Sequence, residues 1–302
     1  MTERPDLLTN PRSDRVRMVK RLSGRSARLR HGQLLVEGPQ GVREAVRHAP
    51  ERVRDLYLSE DAAERYPEIL AAARSAVAHI HLATAEVVAA MSGDAQGVLA
   101  VVRAEPAQLP AGRMRLVAVL PLAADPGNLG TIVRAADAAG ADAVVLGPGS
   151  VEPSNPKAVR STAGSLFHLP VVPVEDLAAT VAALRADGVQ VLAAAADGEW
   201  DLDTLADQAL LAAPGSPADS RISPPTPLPA DSRISPARAA DVPDLRRPTA
   251  WLFGNEAHGL RPEERDLADA VVGVPIHGLA ESLNVATAAT LCLYASARAQ
   301  RR

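Results

Sequence analysis

The chain has almost no cysteine and no long apolar run. Cys292 is the only cysteine among 302 residues, which excludes an intramolecular disulfide and a cysteine-based zinc site. No apolar run approaches about twenty residues, and the N-terminus is charged, so we expect neither a membrane-spanning helix nor a signal peptide. We therefore expect a cytoplasmic protein with no membrane partner, and no metal-binding residues are predicted.

The sequence also lacks the phosphate-binding loop of common nucleotide-binding folds. No Gly-x-Gly-x-x-Gly loop follows an early strand, and Gly147-Pro148-Gly149 lacks the continuation of that motif. This absence argues against an ordinary Rossmann-type methyltransferase or dehydrogenase. The 47% hydrophobic content suffices for a buried core, and the length leaves room for two compact domains.

Positive charge is concentrated near the N-terminus. The net charge is −4, yet between Arg12 and Arg30 only Asp14 opposes a series of arginines and one lysine. An excess of one sign favours contact with phosphate, although a solvent-exposed helical face is the alternative. The candidate RNA contacts are Arg17, Lys20, Arg21, Arg25 and Arg28.

Strand and helix patterns alternate in two series. In the first series we predict strands at 33–36, 53–58 and 98–102, and helices at 42–46, 61–76 and 84–91, the last capped by Thr84. In the second series we predict strands at 117–120, 143–146, 169–172, 189–194, 250–253 and 270–274. Such alternation predicts an α/β fold with a mostly parallel sheet and a ligand at the carboxyl ends of its strands.

The two series imply two domains joined by a linker. We predict a basic leader and small α/β domain at 1–105, a linker at 106–114 and a larger α/β domain at 115–302. A Pro/Ser-rich tract at about 214–243 contains a repeated octapeptide, at 217–224 and 229–236. It has too few apolar side chains to offset the entropy of ordering, so we predict a disordered insertion.

A first motif opens a helix behind a Pro-Gly turn. By sequence alone, Asn128 is predicted to cap this helix, and Gly130 to permit a close backbone approach. Arg134 lies about two turns further on and is predicted to share roughly the same face. A guanidinium in this position is suited to holding a phosphate.

Two further motifs follow predicted strands. Gly254-Asn255-Glu256 leaves one strand, and Val274-Pro275-Ile276 ends the next. Ser282 or Glu281 is then predicted to cap a helix at 285–299. The carboxylate of Glu256, the hydroxyl of Ser282 and the amide of Asn284 therefore lie on turns beside apolar strands, where such groups serve a ligand better than a core.

Together the three motifs resemble those of the SpoU (TrmH-like) RNA ribose 2'-O-methyltransferases, within the SPOUT superfamily. The resemblance implies a C-terminal SPOUT fold with a trefoil knot, a homodimer, and S-adenosyl-L-methionine as cofactor. It assigns catalysis to Asn128, Arg134, Glu256, Ser282 and Asn284. It assigns cofactor binding to Ala195, Gly254, Val274, Ile276 and Leu283. Segments 35–38 and 96–102 resemble the L30e-like RNA-binding domain that precedes the catalytic domain in many members.

The resemblance implies a reaction and a substrate class. The expected activity is 2'-O-ribose methylation of a structured RNA, with 23S ribosomal RNA favoured over transfer RNA. A non-catalytic RNA-binding or assembly factor is the alternative from a different class. The family's arginine is proposed to help deprotonate the ribose hydroxyl, but a guanidinium holds its proton very tightly, so elementary chemistry favours a positioning role for Arg134.

Overall fold

The computed structural model describes residues 7–211, 242–255 and 258–301. The fold is α/β, as predicted, and the backbone forms two compact units. Unit 1 comprises residues 1–106, 125–134 and 151–168, and unit 2 comprises residues 107–124, 135–150 and 169–302. The boundaries at 105 and 115 stay a prediction. No helix in the described ranges is long and apolar enough to cross a membrane.

Unit 1 is built around a four-stranded sheet. Its strands are β1 (Gln33–Glu37), β2 (Val53–Ser59), β3 (His79–Ala83) and β4 (Val98–Arg103). Its first helices are α1 (Asp14–Arg21), α2 (Arg25–His31), α3 (Pro39–His48), α4 (Glu60–Arg65), α5 (Pro67–Arg74) and α6 (Ala85–Met91). Helix α7 (Pro126–Ala139) begins in unit 1. Unit 1 also contains α8 (Pro156–Ser161) and a 3₁₀ turn (Ser165–Phe167).

The sheet of unit 1 has the order β1-β4-β2-β3, with only the β2–β3 pair parallel. Side chains alternate between its two faces, as the period of a strand requires. Leu56 and Leu58 enter one core cluster, whereas Tyr57 enters the other. Both faces are therefore covered and apolar.

Two local predictions in unit 1 were wrong. The single helix predicted at 61–76 is two helices, because Pro67 disfavours the helical conformation at the preceding residue and Tyr66 has φ −124° and ψ 58°. Strand β3 was not predicted. Its sequence alternates histidine with apolar residues, and its first four residues are only partly buried or exposed, so it lacks the strong apolar pattern of a central strand.

The basic leader is part of the folded core. Val16 and Val19 of α1 are buried and pack with Tyr57 and Val101 of the sheet. Helix α2 adds a buried cation, since the Arg28 side chain is only 5% exposed. The α1 and α2 segments thus anchor themselves through one face and present cations on the other.

Unit 2 is built around a seven-stranded sheet. Its strands are β5 (Leu116–Leu120), β6 (Ala143–Leu146), β7 (Val171–Pro173), β8 (Gln190–Ala194), β9 (Trp200–Asp201), β10 (Thr249–Phe253) and β11 (Ala270–Gly273). Its further helices are α9 (Leu177–Ala186), α10 (Leu202–Leu211), α11 (Pro262–Arg265) and α12 (Val285–Gln300). The segment 214–241 lies outside the described residues. The disorder predicted there therefore stays a prediction.

All strand pairs of unit 2 are parallel, in the order β7-β6-β5-β10-β8-β11-β9. The chain fills one side of β5 with β6 and β7 and the other side with the later strands. Such a change of direction marks where open α/β sheets bind ligands. The carboxyl ends of β10, β8 and β11 are neighbours, so the loops that follow them meet at one edge.

Helix α12 is anchored to the centre of this sheet. The indole nitrogen of Trp251 on β10 donates to the hydroxyl of Ser296 at 2.9 Å, and both residues are fully buried. A buried indole needs such an acceptor. Cys292 is also fully buried, and burial raises the pKa of its thiol well above the usual range, so it is a core residue. The opposite side of α12 leaves Leu291 and Tyr294 exposed.

Candidate functional site

A cavity of about 390 Å³ lies at the carboxyl ends of β8, β10 and β11. Ligand pockets of proteins fall in this size range. Its walls combine the loops after the three strands with the first turn of α12. They are formed by Ala194, Ala195, Ala196, Phe253, Gly254, Asn255, Gly259, Val274, Ile276, Ser282, Leu283, Asn284, Val285 and Ala288. All five residues predicted to bind the cofactor therefore line one cavity, together with two of those predicted to be catalytic.

The described wall is apolar and uncharged. Its side chains are mainly alanine, valine, leucine and isoleucine, and none of the described lining residues carries a formal charge. Polar groups come from the backbone at the strand ends and from Asn255, Ser282 and Asn284. Apolar walls with a few polar groups are typical of small-molecule sites, in which the polar groups fix the orientation of the ligand.

The loop after β10 depends on a glycine. The backbones of Asn255 and Gly259 exchange two hydrogen bonds, of 3.0 and 2.8 Å. A Cβ atom at Gly254 would lie 2.4 Å from the carbonyl carbon of Gly259. No larger residue fits there without moving the loop, so Gly254 is required by a close backbone approach. Glu256, predicted to be catalytic, lies outside the described residues.

Asn284 caps helix α12. Its side-chain oxygen accepts from the backbone N–H of Ala286 at 2.8 Å and of Thr287 at 3.4 Å. The prediction that Ser282 or Glu281 caps this helix was wrong, because the helix begins at Val285 and the amide of Asn284 is the group within reach. The cap uses the carbonyl oxygen of the side chain, and the hydrogen-bond donors of an asparagine side chain are its amide N–H groups.

The first motif also has a different cap from the one predicted. Helix α7 begins at Pro126, and the Asp125 carboxylate accepts from the backbone N–H of Asn128 at 2.8 Å. Asn128 is thus a residue of the first turn, and the capping prediction for it was wrong. The Asn128 N–H and the Lys157 ammonium, 3.0 Å away, hold the pKa of Asp125 below its usual value. Sequence analysis missed Lys157, whose partner is remote in sequence.

Gly130 behaves as predicted. A Cβ atom there would lie 2.4 Å from the Cβ of Ser161 and 2.6 Å from the carbonyl oxygen of Ala158. Helices α7 and α8 therefore pack backbone to backbone in unit 1, and a glycine is needed where they touch. This contact fixes the turn of α7 that carries Asn128 and Thr131.

Arg134 is exposed on α7, but it does not share a face with Asn128. Six residues along a regular α-helix turn the chain to about 120° from the starting direction. The side of α7 that carries Arg134 instead includes Thr131 and Gly127, three and seven residues earlier. The predicted common face was wrong. Asn128 and Arg134 belong to unit 1, and their meeting with the cavity of unit 2 stays a prediction.

The five predicted RNA contacts have different surroundings. Arg17, Lys20 and Arg21 are exposed, and Arg25 is exposed but paired with Glu152 at 2.6 Å. Arg28 is buried, pairs with Glu152 at 2.9 Å and donates to the Ser23 carbonyl at 2.7 Å. A buried and paired guanidinium does not reach a phosphate, so an RNA contact at Arg28 does not fit the structure. Arg28 belongs to the interior of unit 1, where removal of Glu152 would leave its charge buried without compensation.

Two family models match this chain. The model of the SpoU rRNA Methylase family matches residues 115–294. A model described as RNA 2'-O ribose methyltransferase substrate binding matches residues 35–108. The first match contains the whole cavity, and the second contains the sheet of unit 1 apart from the start of β1.

Two bacterial enzymes illustrate the sequence similarity. The chain is 35% identical over 180 residues to the 23S rRNA (guanosine(2553)-2'-O)-methyltransferase RlmP of Bacillus subtilis, a match that covers 60% of this chain and 57% of that protein. It is 34% identical over 176 residues to the 23S rRNA (uridine(2479)-2'-O)-methyltransferase of Streptomyces viridochromogenes, covering 57% of this chain and 49% of that protein. These matches thus span about half the length of each relative.

A solved structure extends the similarity to nearly the whole chain. The SpoU methyltransferase AviRb of Streptomyces viridochromogenes, crystallised with AdoMet, superposes with a TM-score of 0.72 at 29% identity. The superposition covers 96% of this chain and 99% of that one. The prediction of a SPOUT-type α/β fold behind a small N-terminal domain is confirmed, while the trefoil knot stays a prediction. On the family model, the relatives and this structure, the chain belongs to the SpoU rRNA Methylase family.

Proposed function

We propose that this protein is an S-adenosyl-L-methionine-dependent RNA 2'-O-ribose methyltransferase acting on 23S ribosomal RNA. The observation that carries the proposal is the single cavity at the ends of β8, β10 and β11, which gathers Ala195, Gly254, Val274, Ile276 and Leu283. Family membership supports the reaction. The substrate is supported by two relatives whose names specify 2'-O-methylation of 23S rRNA.

The residues of the cavity fit the proposed cofactor. The alanines after β8 and the side chains of Val274, Ile276 and Leu283 give apolar surface for an adenosine. Backbone N–H and C=O groups at the strand ends give hydrogen bonds for its edge. When bound, S-adenosyl-L-methionine supplies an electrophilic methyl group on a sulfonium. The residues of the wall then need to bind and orient the cofactor and to exclude water. These tasks require no charged side chain from the described wall.

The side chains of the motifs are proposed to handle the ribose. A ribose hydroxyl is a weak nucleophile at neutral pH, so alignment and stabilisation of its developing charge are the main tasks. Arg134 would hold a neighbouring phosphate in a bidentate grip and fix the sugar. The amide N–H groups of Asn284 and the hydroxyl of Ser282 would donate to oxygens of the substrate. Asn128 and Glu256 are proposed to help orient the substrate.

Unit 1 is proposed to bind the structured part of the RNA. The substrate-binding family model covers its sheet, and α1 presents Arg17, Lys20 and Arg21 to solvent. Exposed cations on one helix supply an attraction to phosphate that depends on salt but not on base sequence. An enzyme that modifies ribosomal RNA would work in the cytoplasm, which is the compartment we propose.

The protein is also proposed to act as a homodimer. Leu291 and Tyr294 are 44% and 49% exposed and lie three residues apart on α12, so they share one side of the helix. Large apolar side chains grouped on one surface commonly mark an interface. Because α12 begins at the cavity, a second copy on this surface would lie close to the proposed active site.

Replacing Gly254 by alanine tests the cofactor cavity. The added Cβ would overlap the Gly259 backbone, and overpacking of this kind costs about 1–3 kcal/mol. We expect calorimetric titration to show affinity for S-adenosyl-L-methionine reduced by about ten-fold or more. Gly278→Ala is the matched control, because nothing lies within 4 Å of a Cβ at Gly278. Equal affinity in Gly254→Ala and the wild type would contradict the assignment.

Replacing Arg134 by alanine tests the positioning role. Loss of the phosphate grip misplaces the ribose, so we expect methyl transfer to RNA to fall by about 100-fold or more, with affinity for the cofactor nearly unchanged. Arg134→Lys keeps the charge but not the forked geometry of the guanidinium. Its rate of methyl transfer should lie between those of the wild type and Arg134→Ala. The measurement is incorporation of labelled methyl groups into RNA at saturating cofactor. Wild-type turnover in Arg134→Ala would refute the role.

Replacing Leu291 by glutamate tests the dimer. A charge on the apolar surface of α12 should split the dimer, because its desolvation opposes association. Light scattering of the purified protein should show a dimer for the wild type and a monomer for Leu291→Glu. Leu29→Glu, at a leucine 66% exposed in unit 1, should remain dimeric. A monomeric wild type, or a dimeric Leu291→Glu protein, would overturn this part of the proposal.

A further inference from the structure

Unit 1 contains a group of three metal-ligating side chains outside the proposed active site. Glu44 and His48 lie one turn apart on α3, and His168 follows the 3₁₀ turn after α8. One ligand atom from each side chain lies within 4.8 Å of the other two. In the described part of the chain, this is the one group of three His, Cys, Asp or Glu residues arranged in this way.

The two distances from Glu44 match the separation of ligand atoms around a tetrahedral metal ion. Oε2 of Glu44 lies 3.4 Å from Nε2 of His48 and 3.3 Å from Nε2 of His168. Zinc binds nitrogen and oxygen at about 2.0–2.2 Å, which places two ligand atoms of a tetrahedral site about 3.3–3.5 Å apart. A direct N–H···O hydrogen bond is normally shorter, at about 2.7–3.2 Å. His168 and Glu44 are close enough for a long hydrogen bond, and the same spacing from Glu44 to both histidines also fits ligand atoms that share one ion.

The two imidazoles of the group are also in contact with each other. The rings of His48 and His168 meet edge to face, with centroids 4.5 Å apart and planes at 69°. Both histidines therefore direct a ring nitrogen to the same oxygen of Glu44 while their rings pack together.

The fold holds the ligands in place and leaves a side open. The i, i+4 spacing puts Glu44 and His48 on the same face of α3. A Cβ at Gly164 would lie 2.5 Å from Cγ of Glu44, so the backbone at Gly164, with φ +105°, packs directly on the carboxylate stem. Glu44 is 14% exposed, whereas His48 and His168 are 50% and 27% exposed. Water can therefore reach the site and supply a fourth ligand.

We propose that Glu44, His48 and His168 bind one Zn²⁺ ion in unit 1. A set of two histidines and one glutamate is a known three-residue zinc ligand set, and nitrogen and oxygen ligands disfavour the softer thiolate-binding metals. The ion ties α3 to the segment that follows α8, two parts of unit 1 about 120 residues apart in sequence. The proposal concerns binding of the ion and does not depend on the cavity in unit 2. Sequence analysis predicted no metal site because His168 is remote from the other two ligands.

The test is a zinc titration of the full chain without an affinity tag. The protein is stripped with a chelator, and ZnCl₂ is added in competition with a chromophoric chelator. We expect one Zn²⁺ per chain, and affinity reduced by about ten-fold or more in Glu44→Gln, His48→Gln and His168→Gln. His79→Gln removes an exposed histidine of β3 and is the matched control, which should bind zinc as the wild type does. Zinc should also raise the melting temperature of the wild type and of the control, but not that of the three variants.

Three results would overturn the proposal. The first is a wild type that binds no zinc at one equivalent, which would leave Glu44 as the ion-pair and hydrogen-bond partner of the two histidines alone. The second is wild-type affinity in all three ligand variants, and the third is an equal loss in His79→Gln. Substitution by Co²⁺ keeps the test decisive if a variant does not fold. The wild type should then show the intense visible absorption of tetrahedral cobalt, and its absence would contradict the site.

Discussion

The parallel register of β10, β8 and β11 is the constraint on which the candidate active site depends. Phe253 pairs with Ala194, and Ala194 with Val272, so three segments remote in sequence end at the same level. The loops beginning at Ala195, Gly254 and Val274 therefore enclose one cavity. A slip of one residue in either pair would reverse the faces of a buried strand and separate these loops. Such a slip would also move Trp251 to the opposite face of β10 and break its buried hydrogen bond to Ser296, so the stability of the sheet and the shape of the cavity have a common origin.

Some residues serve the fold and the site together. Asn284 fixes the first turn of α12 through its side-chain oxygen while lining the cavity. Gly254 permits the close approach of Gly259 and also forms part of the wall. Arg28 shows the opposite outcome. It lies in a basic segment, but its guanidinium is buried and pairs with Glu152 and the Ser23 carbonyl rather than facing solvent. Charge in the sequence thus indicates an electrostatic surface, but burial decides which cations belong to it.

Local patterns predicted much of the fold and the composition of the cavity. The strands at 117–120, 143–146 and 250–253 were found within a residue of the predicted limits, because each is a short apolar run that is buried on both faces. The residues that line the cavity followed from motifs placed at strand ends, together with a family resemblance. The helix caps at Asp125 and Asn284 were missed because several residues capable of capping stand next to one another, and only the backbone geometry selects one. The Arg28–Glu152 pair and the Glu44 cluster join residues more than a hundred positions apart, and no local pattern reports such contacts.

The central claim is that the cavity serves methyl transfer to a ribose of ribosomal RNA. The most direct measurement is transfer of tritium from labelled S-adenosyl-L-methionine to total RNA from a strain that lacks this gene, followed by separation of ribosomal from transfer RNA and identification of the labelled nucleotide. The account predicts label in the 2'-O-methyl group of one nucleotide of 23S ribosomal RNA. Absence of label from every RNA fraction, with the cofactor bound to the protein, would contradict it and favour a non-catalytic RNA-binding or assembly factor. Label confined to transfer RNA would contradict the proposed substrate.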